Sequence, residues 1–312
     1  MKILITGAHG LLGQKIAVVF AQESDHTLLL TDLASETFFT NPRFEYQQLD
    51  ITQRGDVKSL VTQYKPDVII NTAAMTDVDG CETDREQCWR LNVDGLKNLL
   101  ISARRLDACR IVQMSTDYVF DGKDIAYGET SRPNPLSYYG KSKLAAENAL
   151  ASSGVPGVVV RTQVLYGTGF NVRMNFVAWV LAMLEKKTAF RVVTDQIGNP
   201  TLVDDLAYAL LKISESRATG LYHVSGPESI DRYTFARRIA STFDFDPALI
   251  GETTSIDIGQ AANRPLCSTF VTLKFESEFR YRLSDVSQGL LRLRRQYKHG
   301  AQHLDLLPGA SR

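Results

Sequence analysis

The 312-residue sequence predicts an α/β fold, a doubly wound parallel sheet joined to a smaller mixed α/β domain. Three observations carry that expectation. Short β-branched runs alternate with longer helical patterns over the first two-thirds of the chain. A glycine-rich turn lies between the first run and the first helical pattern. Beyond Gly167 the alternation stops and long helical patterns take over. Strands that alternate with helices pair in parallel through right-handed crossovers, which lay helices on both faces of one sheet. At about 150 residues per domain, the length also suits two domains.

Apolar residues running into Gly7 make 2–6 the first strand, and the pattern at 11–22 the first helix. Strands are expected at 27–31 and 44–49, then a helix at 57–64 and a strand at 67–71. A strand at 110–114, a helix at 137–152 and a strand at 157–163 complete the alternation. Helices then follow at 171–187 and 201–214, the second with Val203, Leu206, Ala207, Leu210 and Leu211 on one apolar stripe. Residues 220–224 read as one more strand of the main sheet, and 231–243 and 285–297 as the last helices. The larger domain is therefore expected to span 1–167 plus about 202–224, and the smaller about 168–201 plus 225–298. The tail 299–312, with its Pro-Gly pair, is expected to fray.

Composition removes several function classes. Lys plus Arg and Asp plus Glu are both 35, so no basic excess supports a nucleic-acid footprint. The stretch Arg292-Leu293-Arg294-Arg295 reads as the last turn of a helix, where cations suit the dipole. No apolar run reaches the ~18 residues of a membrane span. The N-terminus enters a strand without a signal-peptide pattern, so a cytoplasmic location is expected. Cys81, Cys88, Cys109 and Cys267 form neither a disulfide framework nor a CxxC pair and are read as reduced thiols. Asp117, Asp121 and Glu129 supply no full ligand set, so no metal is assigned.

Ligands of such a sheet bind outside the carboxyl ends of its strands. Gly7-Ala8-His9-Gly10-Leu11-Leu12-Gly13 sits at the first of these ends and opens a helix. Glycines there permit a tight turn and a close backbone approach to a pyrophosphate, while the helix N-terminus offers N–H donors. Asp32 ends the second strand 19 residues past Gly13, near the ~20-residue offset of the acid that bonds the adenosine ribose of a dinucleotide. Its charge would repel a 2′-phosphate, which favours NADH over NADPH. Asp50 and Ile51 end the third strand and are placed to touch the adenine. Ala73 and Ala74, after the fourth, are small enough to let backbone lie against the cofactor.

Tyr139 and Lys143 stand four apart at the start of a helical pattern, hence on one face. A free tyrosine has a pKa of about 10, and a nearby ammonium lowers it by stabilising the phenolate. Such a pair can give a proton to a carbonyl oxygen or take one from an alcohol. A hydroxyl at the end of the fifth strand, Thr116 by preference and Ser115 as the alternative, is placed to hold that carbonyl.

Together these segments resemble the extended short-chain dehydrogenase/reductases, and most closely the dTDP-4-dehydrorhamnose reductase family. The resemblance covers roughly residues 1–285. It rests on the glycine turn and Asn71-Thr72-Ala73-Ala74, on Val78-Asp79-Gly80-Cys81-Glu82 and on Leu91-Asn92-Val93. It continues through Ser115-Thr116-Asp117-Tyr118-Val119-Phe120, Tyr139-Gly140-Lys141-Ser142-Lys143, Arg161-Thr162, Asp195-Gln196-Ile197-Gly198-Asn199-Pro200-Thr201 and Arg264-Pro265. It implies a Rossmann-type dinucleotide-binding domain, a substrate-binding domain, and hydride transfer from a nicotinamide to the C4 ketone of a nucleotide-linked 6-deoxyhexose. Tyr139 would protonate the developing alkoxide, Lys143 would bond the nicotinamide ribose, Thr116 would position the ketone, and Asn92 would support a water relay. The implied cofactor contacts are Gly7, Gly10, Leu11, Leu12, Gly13, Asp32, Asp50, Ile51, Ala73, Ala74, Met75, Tyr139 and Lys143. The implied substrate contacts are Thr76, Val78, Tyr118, Asn175, Thr201 and Arg264. A homodimer is left open.

Two departures bear on the substrate. Val164 stands where related reductases can carry a tryptophan that packs on the sugar, and Cys267 where an asparagine is frequent. The alternatives are a sugar-nucleotide epimerase and a non-catalytic cofactor-binding subunit of the kind that partners methionine adenosyltransferase. Tyr118 after Asp117, in place of a glutamate, speaks against a 4,6-dehydratase.

Overall fold

The computed structural model describes residues 1–298, so the expected fraying of 299–312 lies outside the described residues. Strands β1 (Lys2–Thr6), β2 (Thr27–Asp32), β3 (Phe44–Gln48), β4 (Val68–Asn71), β5 (Arg110–Thr116) and β6 (Gly157–Thr162) join Gly220–His223 in one seven-stranded sheet. Every pairing in it is parallel, and the order from one edge is β3-β2-β1-β4-β5-β6 and then Gly220–His223. The direction of winding reverses between β1 and β4, which opens a crevice above that point.

Pleat alternation assigns each strand residue to one of two cores. Ile3, Ile5, Leu28, Leu30, Val112, Met114, Val158 and Val160 pack under α1 (Leu11–Glu23). Leu4, Leu29, Ile69, Ile111 and Val159 pack on the other face against α2 (Arg54–Tyr64) and the helices that follow β4. Those helices are α3 (Val78–Thr83), α4 (Arg85–Trp89), a π-helical turn Arg90–Asp94 and α5 (Gly95–Ala103). They were not anticipated, and they deliver part of the site. The helix α6 (Tyr138–Ser152) completes that face through Ala146 and Leu150.

Beyond β6 the chain builds a separate apolar cluster. It joins Val180 and Leu184 of α7 (Phe176–Glu185) to Phe235 and Ile239 of α9 (Arg232–Thr242) and to Leu290 of the last helix, Val286–Lys298. Phe190–Val193 and Ile250–Thr253 form a short parallel pair beside it. Between α7 and α9 in sequence, α8 (Val203–Glu215) returns to the main sheet and packs with α1. Several boundaries differ from expectation. The helix expected at 171–187 starts at Phe176, because Asn175 caps it by accepting from the Ala178 N–H. The one expected from 201 starts at Val203, because Thr201–Leu202 pairs with Leu165–Tyr166. Within the span expected for the smaller domain, Phe275 and Leu283 instead pack into the core beneath α1 and α8, because a short helix, Leu273–Phe279, lies beside Gly220–His223. Among the described residues no helix is long and apolar enough to cross a membrane.

Candidate active site

The turn after β1 is built from glycine by necessity. Gly7 has a φ of +71°, and a Cβ there would stand 2.7 Å from the Ala73 nitrogen. A Cβ on Gly13 would stand 2.4 Å from the Gly7 carbonyl oxygen. The first turn of α1 is thereby seated directly on the β1 turn, with its free N–H groups toward the crevice. Asp32 is fixed at the rim. Its Oδ2 accepts from the His9 N–H at 2.9 Å and its Oδ1 from the Leu33 N–H at 2.8 Å.

A recess lined by Gly7, Gly10, Asp32, Ile51, Ala73 and Ala74 opens here. It runs into a cavity of about 590 Å³ above β5 and β6, sharing Gly10, Thr72 and Ala74 with it. Leu11, Leu12, Gly13, Thr76, Val78, Thr116, Tyr118, Tyr139, Lys143, Asn175 and Arg264 line the larger cavity. A third space of about 610 Å³, entered past Tyr118 and Arg264, extends between α7 and α9 and exposes Trp179, Gln196 and Arg232. Such volumes suit elongated organic ligands. The glycine cradle, the carboxylate at its rim and the linear run of the crevice fit a dinucleotide.

Four sequence-predicted residues lie outside these linings. Asp50 uses its carboxylate on the Thr52 N–H, 2.8 Å away, and on Gln53; those bonds hold it below the usual carboxylate range against the opposing effect of its burial. Thr201 is fully buried, donating to the Asn199 carbonyl and accepting from the Gly226 N–H. Asn92 and Met75 form a brace beneath the cavity floor. The Asn92 amide accepts from the Met75 N–H at 2.8 Å and donates to the Ser142 hydroxyl at 2.9 Å. Ser142 in turn donates to the Tyr139 carbonyl at 2.7 Å. The π-helical turn directs Asn92 inward, and the brace fixes the β4 loop to α6.

The reacting end is assembled by close packing. Gly140 lets α6 lie against the Tyr118 carbonyl, where a Cβ would stand 2.1 Å from that oxygen. Tyr139 is thereby set edge-on to Tyr118, with ring centroids 5.6 Å apart, and lines the same cavity as Thr116. Ser137 caps the helix by accepting from the Gly140 N–H. Parity resolves the choice between the two hydroxyls. Thr116 shares the pleat face of Val112 and Met114, whereas Ser115 points to the opposite face and donates to Glu147 at 2.5 Å. Thr116 is the hydroxyl beside Tyr139.

The electrostatics depart from one expectation. Burial, and secondarily the Asp117 carboxylate, push the Tyr139 phenol well above its ordinary value, with the neighbouring Thr116 hydroxyl opposing. The Lys143 charge is not among the largest of the causes acting on it. Lys143 is itself pushed down to about 8 by burial, opposed by Glu147. In this cavity the tyrosine is a firmly protonated donor rather than a near-neutral phenolate.

Sequence reasoning missed three charged groups. Asp117 is buried and bonded to Thr116 Oγ1 at 3.0 Å and to Ser268 Oγ at 2.6 Å; burial pushes its carboxyl above the usual range. Asp79 accepts both guanidinium nitrogens of Arg264, at 3.1 and 2.7 Å, and this pair spans the mouth of the cavity. Arg232 faces the third space, stacked over Phe176 at 5.0 Å. A cation at the first position of a helix opposes the macrodipole, and that anomaly was the available signal.

Comparisons with known proteins agree with this geometry. The family model described as RmlD substrate binding domain matches residues 1–298. A dTDP-4-dehydrorhamnose reductase of Aggregatibacter actinomycetemcomitans is 32% identical, covering 94% of this chain and 98% of that protein. The methionine adenosyltransferase 2 subunit beta of Xenopus tropicalis is 34% identical, over 85% of this chain and 78% of that one. A solved dTDP-4-dehydrorhamnose reductase of Bacillus anthracis, in complex with NADP, superposes with a TM-score of 0.80 at 29% identity, covering 94% of this chain and 98% of that one.

Proposed function

Because the chain belongs to the RmlD substrate-binding-domain family, we propose that it is an NAD(P)H-dependent reductase of the C4 ketone of a nucleotide-linked 6-deoxyhexose, of the dTDP-4-dehydrorhamnose type. The observation that carries the reading is the convergence of Tyr139, Thr116 and Lys143 on the cavity wall continuous with the glycine cradle. A nicotinamide dinucleotide held along the crevice by the glycine turn and Asp32 would supply the hydride. Thr116 holds the ketone oxygen, and Tyr139 delivers the proton that this oxygen needs as it becomes an alcohol. Lys143, on the same cavity wall, would bond the cofactor's ribose. Asn92 and Met75 act by bracing. Thr76, Val78 and Tyr118 face the sugar, while Arg264 and the space beyond it take the nucleotide. The smaller unit, about 168–201 with much of 225–298, supplies that outer wall.

The test is consumption of reduced cofactor with enzymatically generated dTDP-4-dehydrorhamnose. Turnover is expected, and NADH is expected to serve better than NADPH, because the Asp32 carboxylate meets a 2′-phosphate with like charge. A clear preference for NADPH overturns the reading of Asp32. Tight cofactor binding without turnover, together with recovery of a methionine adenosyltransferase as partner, replaces the reductase by the regulatory subunit that the Xenopus relative brings to mind.

Lys143 gives the reaction an alkaline limit. Its ammonium is lost as the pH rises through about 8, where an ordinary lysine keeps its charge to 10.5. The kcat/KM for reduction is expected to fall above pH 8, and a profile flat to pH 10 takes the charge of Lys143 out of the mechanism.

A further inference from the structure

Thr162 belongs to the Arg161-Thr162 pair of the sequence pattern, yet no role described so far uses it. Its Oγ1 is buried and has no hydrogen-bond partner in the structure. One other buried side-chain atom among the described residues shares that condition, Asp204 Oδ2; the second oxygen of that carboxylate holds Lys15 at 3.1 Å and Gln296 at 2.9 Å. Thr162 has a single polar side-chain atom and nothing to satisfy it. Buried polar groups are nearly always paired, and an isosteric valine would remove the cost while suiting a strand better. The hydroxyl therefore calls for a partner that this structure lacks.

Its position says which partner. In the β5–β6 register Thr162 lies directly beside Thr116. Val158 and Val160 share the core of Val112 and Met114, so parity turns both threonines to the same face. Arg161 and Ser115, one residue earlier, both turn the other way onto Glu147. Thr162 lines the cavity that holds Tyr139 and Lys143 and is absent from the recess at Asp32. Along the sheet it stands one strand further from Asp32 than Thr116 does, beside Val164 and Leu165, where the chain leaves for the smaller unit. In this structure Thr116 gives its proton to Asp117 and accepts the Tyr118 N–H, so it reaches a ketone only by releasing Asp117.

On the reductase reading above, we propose that Thr162 is a substrate-positioning residue whose hydroxyl bonds the sugar hydroxyl on the carbon next to the carbonyl that is reduced. A ketone held by Thr116 and Tyr139 alone can still swing about that point. A second bond, one strand away, fixes the ring and so the face that it turns to the nicotinamide.

Thr162→Val keeps the shape and removes the hydroxyl, and Thr162→Ser keeps the hydroxyl. The valine variant is expected to lose about 10- to 100-fold in kcat/KM for dTDP-4-dehydrorhamnose. Its affinity for NADH, read by fluorescence without sugar, is expected to stay at the wild-type value. Its ligand-free melting temperature is expected to be unchanged or higher, since an unpaired buried group has gone. The serine variant is expected to recover most of the activity. Wild-type kcat/KM in the valine variant overturns the proposal. Weakened NADH binding moves the hydroxyl to the cofactor amide and overturns the sugar assignment, while a lower melting temperature with equal losses throughout makes the role structural. If wild-type protein binds NADH but turns over no 4-keto sugar nucleotide, the reductase reading itself fails; an unaffected valine variant beside an active wild type sinks only the role of Thr162.

Discussion

Replacing Tyr139 by phenylalanine is expected to slow turnover by about 10²–10⁴-fold, the usual worth of a positioned general acid. The substitution removes one oxygen and keeps the ring that packs edge-on to Tyr118, so the fold and both binding steps are expected to persist. The size of the loss follows from the surroundings. The phenol is buried beside Thr116 and faces the carboxylate of Asp117, and both burial and that charge keep it protonated. A new alkoxide at the position held by Thr116 has this proton as its near source, because the remaining hydroxyl on the same strand end, Ser115, is turned away onto Glu147. Steady-state kcat with saturating NADH and sugar nucleotide checks it. Near-normal turnover in the variant removes Tyr139 from the proton transfer.

What could be read in the sequence was whatever has a period or a spacing. The seven strands of the large sheet were anticipated within two residues at each end, because each is a short run of mainly β-branched, aliphatic or aromatic residues set between turns or helical patterns. Thr116 and the pair Tyr139 and Lys143 were legible from strand ends and from the four-residue step of a helix. Long-range contacts were not. Nothing local says that Gly140 exists to admit the Tyr118 carbonyl, or that Asn92 reaches across to Met75 and Ser142. Asp50 has suitable chemistry at a suitable strand end and Thr201 was expected from the family resemblance, yet backbone groups that needed partners took both. The Tyr139 acidity was misjudged for a similar reason, since a four-residue spacing fixes a helix face but not the burial around it. Thr162 was visible as a motif residue, and its unpaired state emerged only from the packed structure.

The second large effect concerns the support beneath the chemistry. Glu147→Ala is expected to destabilise the protein by about 3–5 kcal/mol, the range for stranding one member of a buried ion pair. Glu147 is 5% exposed and Arg161 2%. The guanidinium gives Glu147 two bonds, at 2.8 and 2.6 Å, and Ser115 gives it a third. Removal of the carboxylate leaves the Arg161 charge inside the sheet with His223 and the Phe120 ring, 4.9 Å away, as its remaining company. His223 offers no anion, and burial with the Arg161 charge already holds it neutral, down to about 3. The same carboxylate favours the ammonium of Lys143, so whatever variant remains folded is expected to lose reductase activity at a lower pH than wild type. Removing both charges, as Glu147→Met with Arg161→Met, is expected to restore much of the stability, because matched apolar groups desolvate at no comparable cost. The pH shift is expected to remain in the double variant, since the charge that Lys143 faces is still missing. Denaturant titration of the two proteins separates the terms: a double variant as unstable as Glu147→Ala would place the loss in packing around the side chain rather than in the stranded charge.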